Sequence, residues 1–209
     1  VLANPGEITV VAIGPLTNVA RAIQLDPSVA TAVSRLVIMG GTVEVAGNIT
    51  PAAEFNVWMD PEAADIVFRS GAAITMVGLD VCHQTHFDLS QVAALRGRGD
   101  LADFVADAAA SWIEARELFS GESDLHLYDS LAMAAAIDPE VVETRPALVQ
   151  IETGEGPAQG MTVAWTNDVL RRVLTGLEPN ADVAVAVDLD RFEHLFRTRV
   201  LSPLESVPR

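Results

Sequence analysis

Between Asn48 and Asn56 the chain reads NITPAAEFN, and three of these nine residues, Asn48, Glu54 and Asn56, carry side chains that can grip hydroxyl groups. A carboxamide offers donors and an acceptor, whereas a carboxylate only accepts. Such a set suits a polyhydroxylated neutral ligand. It equally suits a polar surface loop, or turn residues that start the next helix. That helix is announced by Asp60-Pro61-Glu62, an N-cap followed by a proline at the first turn and an early acid.

Positioning these groups falls to the elements around them. Residues 7–14 (EITVVAIG) are a short β-branched run closed by glycine, which predicts a buried parallel strand. In PLTNVARAIQLDP, Leu16, Ala20 and Ile23 recur at helical spacing and Pro27 lies just past the end. The runs RLVIM (35–39) and AITMVGL (73–79) predict the second and third strands, ending at Gly40-Gly41 and Asp80, with ADIVFR continuing the helix between them. From 88 to 118 the chain reads as helical and partly polar, with RGRGD a turn and GESDLH (121–126) a mobile loop. YDSLAMAAAI (128–137) reads as a small-residue helix stopped by Asp138-Pro139. Strands are expected at 147–152, 161–165 and 182–188, and a closing helix over FEHLFRTRVL. Strand and helix periods alternate without repeats. This predicts an α/β fold, a Rossmann-like open and mostly parallel sheet with flanking helices, and no linker splits residues 1–209.

Ligands of open α/β sheets bind beyond the carboxyl ends of the strands. Ile13-Gly14-Pro15-Leu16-Thr17-Asn18 follows the first predicted strand, and Met39-Gly40-Gly41 leads from the second towards Asn48, Glu54 and Asn56. Asp80 follows the third, and Tyr128-Asp129 opens the small-residue helix. These groups are amides and carboxylates, favouring a neutral polyhydroxylated ligand and a hard metal ion over a phosphate. Each also has a plainer use. Thr17 or Asn18 reads as a helix cap, Asp60 as another, Asp80 as a cap or a brace, and Asp129 as an N-cap. Asn48-Ile49-Thr50 matches a glycosylation triplet by chance, GGTVEVAG is too loose for a dinucleotide fingerprint, and no phosphate-binding loop is present.

Thirteen arginines, no lysine and 29 acids leave a formal charge of −16. That argues against nucleic acid and anionic membrane as main partners, since gripping phosphates takes clustered cations. The lone Cys82 excludes an internal disulfide and fits a reducing, cytoplasmic setting; between apolar neighbours it reads as a buried filler. The opening VLANPGE reads as the end of a helix within a domain.

VVAIGPLTNVA, RLVIMGG, GNITPAAEFNVWMDPEAADIVF and ITMVGLDVCHQ, in this order and spacing, closely resemble the inosine–uridine-preferring nucleoside hydrolases. YDSLAMAAAIDP, IETGEGPAQGMTV and VAVAVDLDRF resemble that family's second half, and the likeness weakens only over 88–125. The resemblance implies a Rossmann-like domain assembled as a dimer or tetramer, and hydrolysis of a ribonucleoside to ribose and free base. It implies a Ca²⁺ ion that carries the attacking water and contacts the ribose. It also implies roles residue by residue: Asn48, Glu54 and Asn56 hold ribose, with Asn56 contributing to catalysis, and Met39 lines the sugar pocket. Asp129 ligates calcium, and Ile13 offers the metal its backbone carbonyl.

Two departures stand out. The family's leading DxDxxxDD motif has no counterpart here, so the chain is expected to be the C-terminal two-thirds of such an enzyme and to lack the full metal site. Where many members place a histidine before the late aspartate, this chain has Tyr128, a weaker acid with an ordinary pKa of about 10. Tyr128 is the expected leaving-group residue; His126, two positions earlier, reads first as a solvated histidine and second as a stand-in. The rival expectations are a weak or inactive homologue that binds ribosides or needs another chain, and a non-enzymatic sugar-binding module.

Overall fold

The computed structural model describes residues 1–121 and 123–202. In chain order its elements begin with β1 (Thr9–Ala12), α1 (Thr17–Leu25), α2 (Ser28–Ala32), β2 (Arg35–Met39), α3 (Phe55–Met59) and α4 (Pro61–Phe68). They continue with β3 (Ile74–Val77), α5 (Leu79–Cys82), β4 (Phe87–Asp88), α6 (Leu89–Ala93), α7 (Asp100–Ser120), β5 (Asp124–Leu125) and α8 (Tyr128–Ile137). The last are β6 (Val142–Ile151), β7 (Thr162–Trp165), α9 (Asp168–Thr175), β8 (Ala181–Val187) and α10 (Leu189–Phe196), followed by a wide helical turn over Arg197–Leu201.

Six strands form one sheet in the order β1-β2-β3-β8-β6-β7, with β1, β2, β3 and β8 parallel and β6 antiparallel to both its neighbours. This is the open, mostly parallel sheet the sequence predicts. β2 and β3 are almost continuously buried because helices cover both their faces. Alternation along β2 divides the core. Leu36 and Ile38 join Ile74 and Met76 against Leu16, Ala20, Ala64, Val67 and Phe68 on the α1/α4 side. Val37 and Met39 join Val77 against Leu79, Leu131, Ala135 and Phe192 on the α5/α8/α10 side. A third cluster, Phe87, Val92, Leu95, Ala102, Ala106 and Ile113, packs α6 and α7 together over β4.

Register brings the strand ends into line. Ala12 pairs with Ile38 and Met39 with Val77, so Ile13, Gly40 and Gly78 leave the sheet side by side. Asp60 caps α4 as expected, accepting the Ala63 N–H at 3.0 Å ahead of Pro61. Two local expectations fail. Neither Thr17 nor Asn18 caps α1: the position before the helix is Leu16, without a side-chain cap, and the Thr17 hydroxyl donates instead to the Asp60 carboxylate. The loop expected over GESDLH is in part a strand, since Asp124–Leu125 pairs antiparallel with Phe87–Asp88; Glu122 lies outside the described residues. A two-residue strand is too short to show alternation, so no periodicity announces it. No helix among the described residues is long and apolar enough to cross a membrane.

Phe68 is 2% exposed where α4 meets the sheet. Removing a buried phenyl ring costs the transfer energy of its carbons plus a cavity, about 3–5 kcal/mol. Phe68→Ala should lower the urea-unfolding free energy by that amount, and a loss under about 1 kcal/mol would mean the ring does not carry this layer.

Candidate active site

The loop that leaves β2 is shaped first by backbone constraints. Gly41 has φ +78°, a left-handed conformation, and a Cβ there would meet Met76 Cε at 2.5 Å. Only glycine fits without strain. The chain then folds back so that Glu54 reaches the strand end. Its Oε2 accepts the N–H groups of Gly41 (3.0 Å) and Val57 (3.3 Å), and its Oε1 accepts that of Asn56 (2.9 Å). Glu54 is thus the N-cap of α3 and the tie between α3 and β2. A carboxylate has about four acceptor positions, and three are taken.

Asn48 and Asn56 complete this arrangement. Asn48 Oδ1 accepts the Phe55 N–H at 2.9 Å, and Asn56 Nδ2 donates to the Met39 carbonyl at 3.0 Å and touches its sulfur at 3.3 Å. The residues that sequence reasoning assigned to a ligand therefore also hold the backbone. The Asn48 Nδ2 and Asn56 Oδ1 atoms make no hydrogen bond among the described residues. Of the two uses expected of Asp80, cap or brace, the structure shows the brace: its two oxygens accept the Val43 and Glu44 N–H groups at 2.9 and 2.7 Å. Thr162 closes the far side, accepting the Thr42 N–H at 2.9 Å and donating back to the Thr42 carbonyl.

Around this platform the electrostatics divide. Burial pushes the Glu54 carboxyl above its ordinary value; the three backbone N–H groups oppose that, and the nearby Asp129 charge adds to it. Partial desolvation likewise raises Asp129. Asp129 stands in the first turn of α8, and Leu127, without a side-chain cap, holds the N-cap position instead. Cys82 is fully buried at the centre of this group, its thiol pushed far up by burial and then by Glu54, Asp129 and Asp80. It is an inert filler, as its apolar neighbours predict.

Tyr128 faces a different set. Burial raises its phenol, and a hydrogen bond with Arg116 works against that rise. Its ring meets His83 edge-on at 6.1 Å and His126 at 5.7 Å. Burial holds His83 below the usual histidine range, helped by the neighbouring His126 and Arg116 and opposed by Asp80. Sequence reasoning missed Arg116 and His83. Arg116 lies on α7, where no motif marks it; His83 has only its place just past the third strand as a signal. The His126 ring is tied down, with Nδ1 against the Thr85 carbonyl at 2.8 Å.

Ile13 and Asp129 line one cavity of about 230 Å³, together with Ser130, Met133, Phe192 and Arg199. As hard oxygen donors, the Ile13 carbonyl and the Asp129 carboxylate suit calcium in kind. A calcium ion takes six to eight oxygens, and among the described residues Asp129 belongs to no cluster of three acidic, histidine or cysteine ligands. Arg199 in the same cavity adds a like charge. These residues alone do not make a calcium shell. A larger cavity of about 900 Å³ lies at the opposite ends of the strands, around Ile74, Val149 and Ala181.

The sequence and fold have close relatives. The chain is 38% identical to the pyrimidine-specific ribonucleoside hydrolase RihA of Salmonella enteritidis, with 92% of this chain and 61% of that protein matched. It is 37% identical to a probable uridine nucleosidase of Oryza sativa, over 79% of this chain and 58% of that one. The solved purine-preferring ribonucleoside hydrolase from Gardnerella vaginalis superposes with a TM-score of 0.88 at 36% identity, covering 97% of this chain and 63% of that one. The chain thus spans roughly three fifths of the length of each relative. The profile of the inosine-uridine preferring nucleoside hydrolases matches residues 1–194, and the chain belongs to that family.

Proposed function

We propose that the protein hydrolyses the N-glycosidic bond of a ribonucleoside to ribose and free base. The observation that supports this most is convergence. Met39, Asn48, Glu54 and Asn56 gather at one strand end, and Tyr128 and Asp129 open α8 nearby, with Asp129 close enough for its charge to act on Glu54. In this reading Asn48, Glu54 and Asn56 bind the ribose hydroxyls with the donor and acceptor positions their backbone bonds leave open. The transition state develops positive charge on the sugar, and a fixed, negatively biased platform stabilises that charge without reorganising. Negative charge develops on the departing base, where Tyr128, polarised by Arg116, places a proton donor. His83 stands beside it.

The metal in this reading is Ca²⁺, with Asp129 and the Ile13 carbonyl as two of its ligands. Such an ion lowers the pKa of a bound water. The shortfall of oxygens beside Asp129 favours a second reading, a homologue that binds ribosides but turns them over weakly or only with another segment or chain. Residues 1–209 are then one partial hydrolase domain. The exposed apolar stripe of α9 and its following turn, Val169, Leu170, Val173, Leu174 and Leu177, supports a homo-oligomer, dimer or tetramer. The single buried Cys82 supports a cytoplasmic setting.

Ribose release from inosine, uridine and cytidine, with and without a chelator, separates these readings. The hydrolase reading expects release from at least one nucleoside by the full-length protein, abolished by chelation and restored by Ca²⁺. No release from folded, calcium-loaded protein would sink it, and tight nucleoside binding without release would establish the second reading. Asn56→Ala should lower turnover at least about tenfold, or roughly 1.4 kcal/mol of barrier, with the fold intact. Tyr128→Phe removes the hydroxyl and keeps the ring. It should lower kcat by about tenfold or more on a nucleoside with a poor leaving group, with less change in KM. Equal rates in wild type and variant would remove Tyr128 from the leaving-group role.

A further inference from the structure

Beside the nucleoside site the short β4–β5 ribbon carries a further cluster of donor side chains. Phe87 pairs with Leu125 and Asp88 with Asp124. Continuing this antiparallel ladder by one pair sets His86 opposite His126. Opposed residues share a face of the ribbon, and so do Asp124 and His126, two apart on one strand. The donor atoms of His86, Asp124 and His126 accordingly lie within 4.8 Å of one another. We propose that these three residues form a binding site for a divalent late first-row transition ion of the zinc class, distinct from the hard-cation position at Asp129.

The donor chemistry selects the ion. Two imidazoles and one carboxylate suit zinc, nickel or copper, whereas calcium prefers oxygen alone. Tetrahedral zinc at about 2.0–2.1 Å from nitrogen or oxygen needs ligand atoms about 3.4 Å apart, a contraction the exposed His86 can make by rotating. His126 Nδ1 meets the Thr85 carbonyl at 2.8 Å, a contact of the kind metal-binding imidazoles use, which leaves Nε2 for an ion; His86 Nδ1 lies 2.5 Å from Asp124 Oδ2, so two of the proposed ligands already adjoin. The Leu127 N–H donates to the Thr85 hydroxyl at 2.8 Å, a further tie between the two segments. Three protein ligands leave a fourth position open, and the His83 ring stands 5.0 Å from that of His126. An ion here would staple residues 85–88 to 124–126, the two ends of the α6–α7 segment, next to Tyr128.

Titration calorimetry of the chelator-treated, dialysed full chain with Zn²⁺ tests this, with metal content measured after gel filtration. One equivalent should bind at micromolar affinity or better and survive excess Ca²⁺. His86→Ala, His126→Ala and Asp124→Asn should each weaken binding at least tenfold, while His194→Ala and Asp129→Ala keep it. Circular dichroism and melting of the metal-free variants must match the parent, which separates a lost ligand from a lost fold. X-ray absorption of the zinc form should show nitrogen and oxygen ligands only. Absence of stoichiometric zinc, undiminished binding in the well-folded His86→Ala and His126→Ala proteins, displacement by Ca²⁺, or sulfur ligation from Cys82 would each overturn the proposal.

Discussion

The Glu54 carboxylate is the interaction on which the rest of the site depends. It is 2% exposed, and a buried carboxylate without partners would be costly. Three backbone N–H groups meet it, from Gly41, Asn56 and Val57, so one side chain joins the end of β2 to the start of α3. Each hydrogen bond to a charged group contributes about 1.5–3 kcal/mol, which is enough to fix the loop between. The neighbouring residues show how tightly that loop is drawn. A Cβ at Gly40 would approach Glu54 Oε2 to 3.3 Å, and one at Gly78 would approach the Gly41 carbonyl to 2.9 Å. Asp80 holds Val43 and Glu44 from below. Asn48 and Asn56 then have one orientation each, set by the Phe55 N–H and the Met39 carbonyl.

Under the proposed function the two readings of NITPAAEFN are compatible. As backbone supports, Asn48 and Glu54 satisfy the first three N–H groups of α3, at Phe55, Asn56 and Val57, and Asn56 ties the helix to the Met39 carbonyl. Rigidity obtained in this way is what a preorganised sugar platform needs, since groups already fixed lose little freedom when a ligand arrives. Structural and ligand-binding duties are consistent on the same atoms because amide and carboxylate groups carry more hydrogen-bonding positions than one backbone contact uses.

How far the sequence could be read follows from signal length. The apolar runs RLVIM and AITMVGL fall on β2 and β3 because burial on both faces removes polar residues from a whole strand. Asp60-Pro61 announces α4 because capping is a local, two-residue chemistry. Glu54 as a cap was not legible, since glutamate is not among the preferred N-cap residues and its role depends on Gly41, thirteen positions away. The Thr17–Asp60 bond and the Tyr128–Arg116 contact are likewise tertiary, joining residues with no pattern between them. The ribbon of β4 and β5 is the extreme case, two residues on each side separated by the whole of α6 and α7. For the roles at the site, physical reading reached amides and carboxylates at strand ends, and resemblance to a family supplied the ribose.

The resulting charge division fits the proposed chemistry better than the bulk composition suggests. A chain of net charge −16 would repel an anionic leaving group if its acids were spread evenly. Instead Glu54, Asp80 and Asp129 act on the buried Cys82, whereas Arg116 hydrogen-bonds Tyr128, with the rings of His83 and His126 against it. Separating charge in the N-glycosidic bond places positive character on the ribose and negative character on the base. A bipolar site stabilises both ends of that dipole at once, and it does so most where water is excluded and the effective dielectric is low. Cys82, Val81 and Leu79 on α5 are all fully buried beside these groups.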